Sequence, residues 1–318
     1  MFRVWTFAAW TLIAACSPPF AVPQEPSLNI ERNETRLEFR SGKQRFAEYV
    51  FGDAKTRRPF FANVLTPSGL PVTRTHPPIS GKDATDHDTM HPGIWLAFGD
   101  VCGEDFWRNK GAIKHVHFTE QPAASNDSIT FATECLLETA AGKPLATMKN
   151  RLQVKRRPSG WLFIWDVTFH ADRGDIAFGD QEEMGFGARV ATPITEKASG
   201  ALTNSMGKKT AKETWGKPSA WCDYSGRIDD KSAGILLMTS PKNFRNSWWH
   251  SRDYGVFVAN PFGRAAMRQG APSSVVVKKG EMLRLVFGAV AHEGNDVDLS
   301  KEFDAFVKES DRQPLRER

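Results

Sequence analysis

The chain has 318 residues, 40% of them hydrophobic, enough to bury a core without help from disulfides. The formal net charge of +5 comes from scattered basic residues. The densest run, Lys155-Arg156-Arg157, precedes Pro158-Ser159-Gly160 and reads as a solvated hairpin tip, which excludes a nucleic-acid-binding stripe.

Residues 1–23 read as a targeting segment. Arg3 supplies a short positive region, and the apolar stretch 4–15 is too short to span a bilayer. It ends in Ile13-Ala14-Ala15-Cys16, which is similar to a bacterial lipobox ending before a lipidated Cys16; ordinary cleavage a few residues later, for example after Ala21, is the alternative. Later segments lack the run of about 18 apolar residues that a membrane helix needs. The expectation is an exported protein, periplasmic, extracellular or held at the cell envelope by an N-terminal lipid, with residues 24–318 forming one domain. Cys102, Cys135 and Cys222 remain, without metal-ribbon spacing, and allow one bridge plus one thiol with no basis for choosing the pair.

Residues 76–107 hold three of the eight histidines, five aspartates and two tryptophans among several Gly and Pro, so they read as loop. Loops on a rigid scaffold are where binding and chemistry concentrate. His87 and His91, with Asp86, Asp88 and Asp100, form the first candidate cluster. Their spacing would put both rings on one helix face, but Pro92-Gly93 stops a helix there, so the usual helical metal pair does not apply. Residues 112–118 alternate like a strand that would point His115 and His117 to the same face.

Beyond this the pattern is strand and turn. Residues 128–135, 146–155 and 160–170 are rich in Thr, Val, Ile, Phe and Trp and are separated by turn residues, with residues 151–155 expected to pair with 161–165. Further strands are predicted at 186–191, 234–238, 255–259 and 282–291. Many strands without alternating helices predict an all-β fold, a large antiparallel β-sandwich. One short C-terminal helix is predicted from Leu299, Phe303, Phe306 and Val307, capped by Asp298 or Ser300 and covering a sheet edge.

Two more clusters carry candidate chemistry. Glu182 and Glu183 sit in a Gly-rich stretch between strands, where a carboxylate facing a histidine is the usual pair for acid/base work on sugars. Residues 243–263 combine Trp248, Trp249, His250, Arg252 and Tyr254. Here the aromatic faces suit sugar rings, Arg252 suits an oxygen pair, and His250 suits proton transfer. Absence of a Gly-x-Ser-x-Gly elbow argues against covalent serine catalysis.

Together these segments resemble the bacterial family known as "methane oxygenase PmoA-like", a domain of unknown function frequent among exported proteins of planctomycetes and Bacteroidetes. The matching residues are Asp86-His87 through His91-Pro92-Gly93-Ile94-Trp95, Gly99-Asp100, Asp105-Phe106-Trp107, Glu182-Glu183-Met184-Gly185, Trp249 through Gly255, and Asn260-Pro261-Phe262-Gly263. Many members carry consecutive histidines where this chain has Asp88-Thr89-Met90-His91. Methane monooxygenase subunits of that name are multi-span membrane proteins, unlike this chain. The resemblance implies a supersandwich similar to galactose mutarotase.

The leading functional expectation is a carbohydrate-active hydrolase, lyase or epimerase. Its acid/base groups would be His87, His91, His250, Glu182 and Glu183, with Trp107, Trp249, Tyr254, Arg252 and Asp100 binding substrate. No metal ligand set and no cofactor are assigned, although a divalent metal stays open. The alternatives are a non-catalytic glycan-binding lipoprotein and, following the family label, a metal-dependent oxygenase or metal carrier.

Overall fold

Half-apolar strands need a second layer to cover their hydrophobic faces, and here that layer is another sheet. The computed structural model describes residues 1, 2, 4 and 25–311, so the expected signal and Cys16 lie outside the described residues. The first sheet has eight antiparallel strands in the order β1 (Leu28–Arg32), β2 (Arg36–Ser41), β3 (Gln44–Val50), β4 (Phe60–Ala62), β5 (Ile94–Phe98), β11 (Met184–Arg189), β16 (Val256–Asn260) and β15 (Trp248–Arg252). The second, also antiparallel, runs β12 (Ala201–Asn204), β13 (Trp221–Ile228), β14 (Lys231–Thr239), β18 (Met282–Glu293), β9 (Gly160–His170), β8 (Pro144–Arg157), β7 (Ser128–Glu138) and β6 (Ala112–Ala124). A small third sheet pairs β10 (Ile176–Phe178) with β17 (Val275–Val277). The helices are α1 (Thr210–Thr214) and α2 (Leu299–Asp311). Among the described residues no helix is long and apolar enough to cross a membrane.

The two large sheets meet through one aromatic-rich core. Phe61 packs edge-on to Phe163 at 5.0 Å, and Phe186 stacks on Phe287 at 5.3 Å. The predicted hairpin forms, with Leu152 opposite Trp165 and Val154 opposite Phe163. The strand predicted at 112–118 extends to Ala124 and carries a bulge. His115 pairs with buried Cys135 and His117 with half-buried Glu134, leaving Val116 extra between them. An extra residue reverses the alternation, so His115 packs inward on Phe51 and Phe118 while His117 is exposed, and the two do not share a face.

Helix α2 is capped by Asp298, whose Oδ1 accepts from the Lys301 N–H. It covers an apolar face instead of an edge: Phe306, with Leu299, Phe303 and Val307, packs on Leu162, Ile164, Leu236, Met238, Val286 and Val290. The three cysteines are all free thiols, Cys102 exposed and Cys135 and Cys222 buried, so the open bridge is not formed.

The outer face of the first sheet bears a second apolar layer. Val50, Phe60, Ala62, Trp95, Ala97, Val256 and Val258 are covered there by Trp107 and partly by Met90 and Tyr254. This layer is the floor of the candidate site.

Candidate active site on the outer face of the first sheet

Register places the key residues in rows. Trp95 lies opposite Gly187, Gly187 opposite Val258, and Val258 opposite His250, so these four project from the same face across β5, β11, β16 and β15. The next outward row is Arg189, Val256 and Arg252. Gly187 has no side chain because there is no room for one: a Cβ would sit 2.9 Å from Val258 Cγ2 and 3.0 Å from Trp95 Cζ2. The Trp95 indole therefore leans across the glycine.

A column of rings rises from that indole. His91 stacks on Trp95 at 5.2 Å, His87 stacks on His91 at 5.1 Å, and Trp107 closes the side edge-on to both His91 and Trp95. Pro92 does prevent a helix, but one isolated turn forms, with the His91 N–H donating to the His87 carbonyl at 3.0 Å. That single turn stacks the two histidines.

Two buried arginines hold this loop to the scaffold. Arg74 donates to the carbonyls of Ala84, Asp86, His87 and His91 at 2.6–3.1 Å. Arg58 donates to those of Met90 and Trp107 and to Asn109 Oδ1 at 2.5–3.0 Å. Burial pulls the guanidinium of Arg58 down to about 9 and that of Arg74 to about 10. Arg189 grips Asp86 with two hydrogen bonds of 2.9 and 3.0 Å, and His87 Nδ1 lies 2.8 Å from the same carboxylate. Burial raises the Asp86 carboxyl, but Arg189, His87 and Arg74 together hold it well below the usual range. Nothing in the sequence motifs singled out Arg58 or Arg74.

His91 is 4% exposed, and its Nδ1 is buried without a hydrogen-bond partner among the described residues. Burial, then the neighbouring Arg189, His87, Arg74 and His250, push its pKa well below the ordinary value, so the ring is a neutral imidazole at neutral pH. Across the face, Glu182 accepts hydrogen bonds from Trp215 and Arg252 on one oxygen, with a His250 ring nitrogen close by. Its Oε1 lies 2.5 Å from Trp215 Nε1, 2.5 Å from Arg252 Nη2 and 2.8 Å from His250 Nδ1. Burial raises this carboxyl, but His250, Trp215 and Arg252 outweigh it and bring the pKa down to about 2. Glu182 is thus an anion at neutral pH, with Oε2 making no hydrogen bond among the described residues.

The face therefore unites His87, His91, His250, Glu182, Arg252 and Tyr254. Tyr254 sits in the turn between β15 and β16, under Arg189 at 4.7 Å, and burial raises its phenol above the ordinary value. Glu183 lies at the rim, committed to Arg108, which also contacts Asp105. Three assignments need correction. Trp107 is fully buried beneath the histidines and offers no face to a ligand. Trp249 points into the core, stacked on Phe257 with Nε1 bonded to the Ser219 carbonyl, because its neighbours Trp248 and His250 take the outer face. Asp100 folds a turn at the other end of β5, accepting from the Gly103 N–H and lying against Gly179.

A cavity of about 360 Å³ opens beside the column, lined in part by Asp86, His87, Arg189, Thr195, Lys197 and Tyr254. Its lining includes none of Glu182, His91 and His250, the two histidines being buried. Among the described residues no group of three or more His, Cys, Asp or Glu side chains is placed to hold a metal ion.

The fold and site define a two-sheet antiparallel β-sandwich with a histidine- and carboxylate-bearing outer face. The chain belongs to a family of unknown function, DUF6807, whose model matches residues 36–303. No curated protein matches it in sequence. Among solved structures it is similar to a galactose mutarotase-like protein from Lactobacillus casei ATCC 334, with 12% identity and a TM-score of 0.37, covering 83% of this chain and all of that one. A galactose mutarotase related enzyme from Lactobacillus acidophilus matches with 11% identity and a TM-score of 0.31, covering 85% of this chain and 98% of that one. A β-arabinopyranosidase matches with 9% identity and a TM-score of 0.39 over 79% of this chain, which spans 39% of that enzyme.

Proposed function

We propose that this chain is an exported carbohydrate-active enzyme that moves protons on a sugar. The observation that carries the reading is the meeting, on one sheet face, of a neutral buried His91 and an ionised Glu182 beside His250, Arg252 and Tyr254. A neutral imidazole accepts a proton, a protonated phenol donates one, and an arginine orients substrate oxygens. Two-carboxylate glycoside hydrolysis is the less suitable chemistry, since it needs one protonated carboxyl, whereas Glu182 is held ionised and Glu183 is engaged by Arg108. Proton abstraction, in lyase or epimerase chemistry, fits better. His91 is the proposed base, Tyr254 the proposed acid, and Glu182 the group that orients His250 and Arg252. The "PmoA-like" label is retained only for the shared motifs, and export rests on the N-terminal sequence.

The test is turnover of a polysaccharide panel, read as new reducing ends, new unsaturated ends and anomeric or epimeric change. His91→Ala and Glu182→Gln should each lower the rate about 10²–10⁴-fold with binding kept within a few-fold. Binding without any turnover by the wild type would replace this reading with the glycan-binding one.

A further inference from the structure

Beyond Glu182 the outer face continues into a strip of aromatic rings with arginines lying on them. Trp248 projects from β15 on the same face as His250, and Trp215 bonds directly to Glu182. Arg245 lies over the rings of Phe244 at 4.8 Å and Trp248 at 5.7 Å, and Arg268 lies over Trp215 at 5.5 Å. Phe244 is 40% exposed, and Trp248 and Trp215 are half-buried, so the strip faces solvent.

The cations of this strip form no ion pair among the described residues. Among the described residues neither Arg245 nor Arg268 has a carboxylate within ion-pairing distance. Arg245 Nη1 is buried with no acceptor among the described residues. A guanidinium nitrogen withdrawn from water and left unbonded costs free energy that a surface arginine normally avoids by staying hydrated. Arg264 adds to the local positive charge, its own guanidinium donating to the carbonyls of Ala271 and Pro272. The carboxylate that faces Arg245, Asp180, is already engaged by the backbone N–H groups of Ala265, Ala266 and Ser273.

We infer that the ligand of this face is an anionic glycan, whose sulfate or carboxylate groups bind Arg245 and Arg268 while its sugar rings lie along Trp248 and Trp215. This rests on the carbohydrate reading above. An oxyanion at Arg245 would accept from the unbonded Nη1, and charge-assisted bonds of that kind are among the stronger ones. The aromatic faces supply apolar contact to the sugar, and the strip leads directly to Glu182 and His250.

The experiment is affinity electrophoresis of the mature protein in gels containing dextran sulfate, polygalacturonate or uncharged dextran. The variants are Arg245→Ala, Arg245→Gln, which keeps part of the stem on the rings, and Lys114→Ala as a charge-matched control on β6 of the other sheet, where the lysine is exposed. The wild type should be retarded by at least one anionic polymer and not by dextran. Retardation by dextran sulfate alone assigns sulfate, and retardation by polygalacturonate alone assigns carboxylate. Both Arg245 variants should weaken the retardation about tenfold, the order of one charged hydrogen bond, and Lys114→Ala less than twofold, with raised salt weakening it throughout. Equal retardation by dextran, no retardation by any polymer, or equal losses in Arg245→Ala and Lys114→Ala would overturn the inference. Arg245-dependent binding in a protein without turnover leaves it standing and removes the enzyme reading. Turnover confined to neutral glycans removes this inference alone.

Discussion

Glu182 Oε1 lies 2.8 Å from His250 Nδ1, although one residue precedes β11 and the other sits in β15, with β16 between those strands. The contact requires Glu182 to reach over β16, and Asn260 at the end of β16 supports it by donating its side-chain N–H to the carbonyls of Gln181 and Glu182. The carboxylate is therefore positioned by backbone anchoring as well as by its hydrogen bonds from Trp215 and Arg252.

This carboxylate should make the fold acid-sensitive. Its folded-state pKa of about 2 is below the ordinary 4.5, so its contribution is fully present above 4.5 and disappears as pH falls toward 2. The contribution is at most about 3 kcal/mol, from roughly 1.4 kcal/mol per pKa unit. Glu182→Gln should be less stable than the wild type at neutral pH and should lose less on acidification. Urea unfolding at a series of pH values measures this, and equal slopes for both proteins would contradict it.

His91 has a depressed pKa for a different reason, since burial and neighbouring cations disfavour its charged form. The unfolded chain binds this proton more readily, so stability should fall as pH drops below about 6.5. His91→Phe, which keeps the stack on Trp95, should remove that part of the decline. The ring resonances of His91 in NMR should not titrate near the ordinary histidine value; a normal titration curve would show the site to be open to water.

Gly187→Ala places a methyl group against Val258 and Trp95. Overpacking of this kind costs about 1–3 kcal/mol. It should also displace the indole and the two histidines stacked above it, so near-ultraviolet circular dichroism should change together with the melting temperature. A variant as stable as the wild type would mean that Trp95 can yield.

The two tryptophans Trp249 and Trp215 should separate fold from site. Trp249→Ala empties a core position and should cost about 3–5 kcal/mol of stability. Trp215→Phe keeps an apolar ring but removes the donor to Glu182, and should leave stability within about 1 kcal/mol while lowering turnover. Thermal melts with parallel rate measurements decide between these outcomes.

The sheet architecture was legible because its signals are local. Residues 160–170 form a β-branched and aromatic run closed by a Pro-Ser turn, and β9 has those limits. Helix α2 was visible in the spacing of Leu299, Phe303, Phe306 and Val307, but not what it covers, because that is set by side chains on three other strands. The histidines, Glu182 and Arg252 stood out as residue types. Trp249 was misplaced because adjacent tryptophans on a strand point opposite ways, and only the pairing with β16 determines which one goes inward. The bulge at Val116 leaves no mark in composition, so the orientation of His115 and His117 was misread. Arg58 and Arg74 were invisible for a related reason: their partners are carbonyl oxygens of distant loops, which every residue possesses.

The stack of His91 on Trp95 ties that imidazole to the interior. Swinging that imidazole aside would open a gap above the indole, while the Arg74 bond to the His91 carbonyl fixes the backbone that carries it. The histidine therefore has little freedom left to lose when a ligand arrives, its ordering having been settled during folding. Adjustment on binding falls to the partly exposed His87, Tyr254 and Arg252, so selectivity between ligands can change at the rim while the proposed proton acceptor stays fixed.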